Sequence, residues 1–299
     1  MAGISIREKY GDILTQLTQL SVAADRIDET NVYQKANPHT RRFIDKLVSD
    51  HLAEGSRLEN KTNWRAFYDA VQAGKSGLIL MEHYSNADLP ALCWLLDHDL
   101  GEEGRVLSRN IVAIAGMKLN EADPGVKAFA ESFSRVVIYP TRSLTKAEER
   151  AQSEEERLNE EKKARTINLA AMRAMDKCKR DGEVILVFPS GTRYRPGHPE
   201  TKRGLREIDS YLRMFDVMIL VTINGMILSI DPDNPDDMLA DKLERAVQVF
   251  AASPVITCKQ YRKDYLATLP ADCPDPKQAM IDHVMEQFDE QHAEIEKRL

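Results

Sequence analysis

The sequence predicts an α/β protein: a mainly parallel or mixed central sheet flanked by helices, preceded by a small N-terminal helical bundle. Three observations lead there. Residues 1–75 show helical periodicity and no convincing strand. Short runs of Val, Ile and Leu begin at residue 78 and recur as far as residue 223. Between them lie stretches of helical spacing and helix breakers, and such strand–helix alternation implies a parallel sheet covered by helices. The expected domains are 1–75, helical, and 76–299, α/β.

The front end is read first. "YGDILTQLTQLSVAADRI" sets Ile13, Leu14, Leu17 and Leu20 on one face of an amphipathic helix. "HTRRFIDKLVSDHLAEG" does the same through Phe43, Ile44, Leu47 and Leu52, and Gly55 is its stop. "WRAFYDAVQAGKSG" repeats the pattern and ends at Gly74 and Gly77.

Strands are expected at 78–81 (LILM), 110–116 (NIVAIAG), 135–140 (RVVIYP), 183–189 (EVILVFP) and 216–223 (DVMILVTI). None alternates with polar residues, as befits strands buried on both faces. Helices fill 88–98, roughly 123–133, 145–180 and 202–214. The third begins very charged, which suits a solvated helix braced by Glu–Lys and Glu–Arg pairs rather than a partner-binding tail. "SPVITCKQY" suggests one more strand, and "PKQAMIDHVMEQFDEQHAEIEKRL" a closing helix with Pro276 near its start.

Bulk properties narrow the function classes. The 299 residues, 42% hydrophobic and 30% charged, suit one large domain or a large and a small one. A net charge of −7 argues against general nucleic-acid binding, which needs a broad cationic footprint. No apolar run approaches the ~20 residues that span a bilayer. The start "MAGISIREKYGD" lacks the apolar segment of a secretion signal. Cys93, Cys178, Cys258 and Cys273 are scattered, which suits reduced thiols and supports neither a zinc site nor a disulfide framework. The expectation is a soluble cytoplasmic protein.

Three expected strands end in polar sequences, "EHYSNAD", "YPTRSL" and "FPSGTRYRPG". In open α/β sheets ligands collect at the carboxyl ends of strands. His83 ends the first strand and Asp88 opens the next helix, with Asn86 or Ser85 as its cap and Pro90 in its first turn. The chain reverses between them, so Asp88 can reach one imidazole nitrogen and fix the tautomer. The same pair also suits plain packing, with Asp88 favouring the helix N-terminus and His83 filling a corner. In "FPSGTRYRPG", Pro189 and Gly191 enforce a tight turn that can aim backbone N–H groups into a cleft. Arg193 and Arg195 follow at alternate positions, and guanidinium forks match phosphate oxygens. Lys202, Arg203 and Arg206 extend a basic stripe, and Arg142 marks the third strand end. The plain alternative for these cations is a solvated turn and a surface ion pair.

His83 to Asp88 resembles the H-x-x-x-x-D motif of the glycerolipid acyltransferases, and "FPSGTR" resembles their F-P-E-G-T-R block, in the same order. Within that family the chain bears a closer likeness to the soluble glycerol-3-phosphate acyltransferases of plastids, in "ADPGVKAFAESFSRVVIY" (122–139) and "PSGTRYRP" (189–196). The likeness covers about 76–200, and those proteins also begin with a helical domain. It implies His83 as general base on the glycerol hydroxyl and Asp88 as its orienting partner. It implies Arg142, Arg193 and Arg195 as ligands of the phosphate of glycerol 3-phosphate, with Ser143 beside them. It also implies Ser190, Gly191 and Thr192 as the substrate and oxyanion region. Ser190 stands where the wider family has glutamate, Ser143 where the plastid enzymes have histidine, and "DVMILVTING" lacks the proline of the family's later strand.

The activity implied is 1-O-acylation of glycerol 3-phosphate by direct attack on a thioester, giving lysophosphatidate, with neither metal nor prosthetic cofactor. Acyl carrier protein or acyl-CoA is the acyl-donating cosubstrate, and the stripe Lys202–Arg206 could take the acidic carrier or the phosphates of CoA. Transient contact with a membrane surface fits a lipid product. Three alternatives stay open: a lysophosphatidate acyltransferase using the same residues, an enzyme with Ser190 as covalent nucleophile, and a non-catalytic anion-binding module. The Ser190 alternative lacks the G-x-S-x-G elbow.

Overall fold

The computed structural model describes residues 3–24, 26–119, 123–151 and 153–299. The chain begins β1 (Ile4–Ser5), α1 (Ile6–Leu20), β2 (Tyr33–Gln34), α2 (Pro38–His51), β3 (Arg57–Glu59) and α3 (Lys61–Gln72). It continues β4 (Gly77–Met81), α4 (Asp88–Asp99), α5 (Gly101–Asn110), β5 (Ile111–Gly116), α6 (Pro124–Ala130), β6 (Arg135–Ile138), α7 (Thr141–Arg150) and α8 (Glu154–Arg180). Then come β7 (Val184–Val187), α9 (Asp209–Met214), β8 (Val217–Asn224), β9 (Leu228–Ser229) and β10 (Lys242–Leu243). The chain closes with β11 (Val249–Ala252), β12 (Ile256–Thr257), α10 (Cys258–Leu266) and α11 (Pro276–Glu296). The architecture is mixed α/β, as expected.

These elements form two compact units. The first takes Met1–Lys9, Asp45–Ile111 and Gly182–Leu299. Its central strand is β4, parallel to β7 and β8, with Leu80 opposite both Val187 and Leu220. Every residue of "GLILM" and of "VMILVTIN" is buried, which is why neither strand alternates. β11 pairs antiparallel with β8 and parallel with β3, and β12 lies antiparallel on β8. β1, β10 and β9 make a separate antiparallel sheet. Trp64 and Phe67 of α3 are fully buried, as are Met280, Val284 and Phe288 of α11.

The second unit takes Tyr10–Ile44 and Val112–Asp181. β5 runs parallel to β6, and β2 lies antiparallel on β6. Ile27, Val32, Met117, Val137, Tyr139, Ala164 and Ile167 form a buried cluster in this unit. The Asn168 amide on α8 donates to the Tyr139 carbonyl at 3.0 Å and accepts from the Tyr139 N–H at 2.8 Å. A buried Glu131 carboxylate gathers the Ser21 hydroxyl, the Val22 N–H and the Asn37 amide.

Several expectations change. Residues 1–75 hold three short strands, β1, β2 and β3, where none was expected. Runs of two or three residues carry no periodicity, and their partners lie far along the chain. The helix expected at 145–180 is two helices, α7 and α8, and Gln152 between them lies outside the described residues, as does Ala122 at the head of the 122–139 stretch. Glu–Arg pairs brace α8 as expected, through Arg157 with Glu154 and Glu161. On α1 the expected face is half right: Leu14 and Leu17 are buried, whereas Leu20 is 41% exposed. α5, α10 and β11 were not anticipated, and "SPVITCKQY" supplies only the two residues of β12 before turning helical. None of the four cysteines is in a disulfide. Among the described residues no helix is long and apolar enough to cross a membrane.

Candidate active site

The site lies in the first unit, where β4 and β7 end side by side. Parallel strands put their carboxyl ends at the same edge, so residues 82–88 and 188–195 emerge together. The Tyr194 N–H donates to the His83 carbonyl at 2.8 Å and ties the two segments. The Phe188 ring stacks on the His83 imidazole, centroids 3.8 Å apart and planes 17° from parallel. That contact fixes the ring plane and leaves its edges to hydrogen bonding.

His83 Nδ1 lies 3.0 Å from Asp88 Oδ2. The Asp88 side chain is fully buried and accepts three further hydrogen bonds, from the Tyr84 N–H at 2.7 Å, the Ser85 N–H at 2.8 Å and the Ser85 hydroxyl at 2.8 Å. A carboxylate held by that many donors cannot swing, so the imidazole it grips is equally fixed. With an acceptor-only partner, Nδ1 carries the proton and Nε2 keeps its lone pair. The His83 side chain is 16% exposed, enough for a substrate to reach it. The expected cap by Ser85 or Asn86 is corrected. α4 begins at Asp88 with Ala87 before it and no side-chain cap. Ser85 Oγ accepts the Ala87 N–H at 3.1 Å, while the Asn86 amide donates to Asp241 at 3.3 Å. The hydrogen bonds that shape the loop have drawn both side chains away from the helix end.

The turn expected at 188–191 is present. The Gly191 N–H donates to the Phe188 carbonyl at 2.9 Å, and Gly191 has φ +62°, the left-handed region that favours glycine. That N–H is therefore engaged within the turn. The Ser190 hydroxyl donates to the Thr192 carbonyl at 2.7 Å. Arg193 and Arg195 both reach carboxylates of the 236–241 segment. Arg193 is buried against the fully buried Asp241, and Arg195 pairs at 3.0 Å with Asp236, whose side chain is 90% exposed. Burial pushes the Asp241 carboxyl up to about 6 although Arg193 pulls the other way. Arg142 and Ser143 stand in the second unit, in the first turn of α7 directly after Pro140.

A small open cavity lies beside the imidazole. His83, Tyr84, Ser190, Tyr194 and Lys202 supply polar wall, and Met285 and Phe288 of α11 supply apolar wall. Neither Arg193 nor Arg195 lines it. Glu82 also lines it and, with Tyr84, belongs to a cluster that sequence reading missed. The buried Glu82 accepts from the Tyr84 hydroxyl at 2.8 Å and the Ile223 N–H at 2.8 Å, and lies 3.0 Å from His292 Nδ1. The hydrogen bond to Glu82 raises the His292 pKa, and burial beside Glu82 raises that of the Tyr84 phenol. An acidic residue directly before His83 was the one available signal for this cluster, and His292, on α11, gave none.

A strand-end imidazole oriented by a buried carboxylate can act as general base or acid toward a group in this cavity. No curated protein matches the chain. A family model described as Acyltransferase matches residues 57–220, more than half of the chain, and brackets both His83–Asp88 and the 188–195 turn. The chain belongs to the acyltransferase family.

Proposed function

We propose that this acyltransferase is a glycerol-3-phosphate 1-O-acyltransferase, making lysophosphatidate from an acyl thioester. The observation that carries the reading is the His83–Asp88 pair on the wall of a small cavity, with arginine-bearing turn residues beside it. His83 Nε2 takes the proton of the acceptor hydroxyl as that oxygen attacks the thioester carbonyl carbon. The new C–O bond forms, the C–S bond breaks as the tetrahedral intermediate collapses, and the imidazolium returns its proton to the departing thiolate. Asp88 stabilises the imidazolium and holds its tautomer. Both substrates bind together, and proximity supplies much of the acceleration.

Arg195 is the more exchangeable phosphate ligand, because its partner Asp236 lies in solvent and a dianion competes well for the fork. Arg193, held by Asp241, anchors the turn and offers its remaining N–H groups. Arg142 and Ser143 come into the reading through the family resemblance alone. Ser190, Gly191 and Thr192 border the reacting centre, and the thioester, from acyl-CoA or acyl carrier protein, is a cosubstrate rather than a resident cofactor.

The test is acyl transfer by the purified protein, with acyl-CoA or acyl carrier protein as donor and glycerol 3-phosphate or lysophosphatidate as acceptor. Mass analysis should find lysophosphatidate from glycerol 3-phosphate. Acylation of lysophosphatidate alone would move the assignment to the later step, and no transfer with any pair would reject it.

A further inference from the structure

The cations nearest the strand end in sequence, Arg193 and Arg195, both pair with carboxylates of the 236–241 segment, and neither is among the residues that line the cavity. Lys202 is placed differently. The 3₁₀ turn Pro199–Thr201 and the hydrogen bond from the Leu205 N–H to the Pro189 carbonyl, 2.9 Å, fold the chain back beneath the 188–191 turn. This return sets Lys202 on the wall of the cavity that His83 lines, with Ser190 and Tyr194.

The charges around it divide into engaged and exchangeable. Asp88 is held by its four donors, and Glu82 by Tyr84, His292 and the Ile223 N–H. Among the described residues the ion-pair partner of Lys202 is Asp289 of α11, at 2.5 Å, and the two side chains are 36% and 59% exposed. A pair so open to solvent is weakly held, and an incoming anion can take the place of its carboxylate. Glu82 shares that wall, but its carboxylate is taken up by the Tyr84 hydroxyl, the Ile223 N–H and His292, whereas the Lys202 ammonium faces only an exposed carboxylate.

We infer that Lys202 binds the phosphate of the acceptor, giving up Asp289 as substrate enters; this rests on the acceptor reading above and adds to it a binding residue beyond the two sequence motifs. The shared wall of Lys202 and His83 favours the acceptor over the donor as the source of that phosphate. In glycerol 3-phosphate the phosphate sits three carbons from the hydroxyl that His83 must reach, so a cation sharing the wall with His83 can hold it, whereas the phosphates of CoA lie a long flexible arm away from the thioester. Asp289 would then act as a competitor: a carboxylate that occupies the ammonium until a dianion replaces it.

Steady-state kinetics and equilibrium dialysis with labelled glycerol 3-phosphate test this on the full chain. Lys202→Ala should raise KM for glycerol 3-phosphate, and weaken its binding, by roughly tenfold or more, the effect of deleting one charge-assisted contact. kcat and the KM for acyl-CoA should change by less than about threefold, and Lys202→Arg should recover most of the loss. Asp289→Asn should move the acceptor KM the opposite way. A rise confined to the acyl-CoA KM would assign the phosphate to the donor, and unchanged acceptor affinity in Lys202→Ala would also overturn the inference. Wild-type protein that neither binds nor acylates glycerol 3-phosphate would overturn the acceptor reading itself, and the inference with it.

Discussion

At the scale of single residues, His83 and Asp88 behave as one unit because the carboxylate has no freedom to leave the ring. His83→Ala should keep the fold, since the ring sits at a cavity edge, while lowering kcat by about 10²-fold or more, the usual worth of a positioned base. Circular dichroism and the transfer assay check the two halves of that statement, and undiminished transfer would remove His83 from the chemistry. Ser190 separates direct transfer from an acyl-enzyme route. Its hydroxyl donates to the Thr192 carbonyl and has no hydrogen bond to His83, so nothing in the geometry activates it as a nucleophile. Ser190→Ala should retain transfer within about threefold, whereas loss to the level of His83→Ala would revive the covalent alternative.

At the scale of elements, the turn after β7 and the helix α11 set the walls of the site. A Cβ at Gly191 would stand 2.6 Å from the Leu205 Cδ1 and would force an L-residue to φ +62°. Gly191→Ala should therefore cost about 1–2 kcal/mol, read as a lower urea midpoint with an unchanged slope. α11 is held at the cavity by His292 on Glu82. The hydrogen bond raises the His292 pKa above its ordinary 6.5, so this contact stabilises fully below pH 6.5 and is lost as pH rises through the raised value. The other groups acting on His292 are Lys202, which lowers its pKa, and Glu296, which raises it. Over that window the wild type should lose about 1–2 kcal/mol relative to His292→Gln, whose stability should vary less with pH. Thermal melts at stepped pH check it, and parallel curves would count against the pair.

At the scale of the whole molecule, the division at residue 75 is a proposal about independent folding, and a fragment of residues 76–299 tests it. That fragment lacks β3, the parallel neighbour of β11, and α3, whose Trp64 and Phe67 are wholly buried in the same unit. It should unfold at lower denaturant than the full chain while keeping a cooperative transition; a chain without any transition would reject the boundary. Much of the architecture was legible beforehand. The five strands read from apolar runs all exist, because burial on both faces leaves uninterrupted Val, Ile and Leu. β11 escaped notice although "VFAA" is buried throughout, since four small or apolar residues inside a polar stretch match no period.

What the sequence determined by itself was local chemistry. The five strands buried on both faces, the five-residue step from His83 to Asp88 across a chain reversal, and the glycine at a left-handed turn all follow from residues within a few positions of one another. The tertiary structure alone decided who answers the charges: Asp241 for Arg193, 48 positions away, Asp289 for Lys202, 87 away, and His292 for Glu82, 210 away. Each partner is an ordinary side chain in its own segment. Its role is created by the packing of α11 and the 231–241 loop against the strand ends, a matter of distance in space that spacing along the chain does not encode.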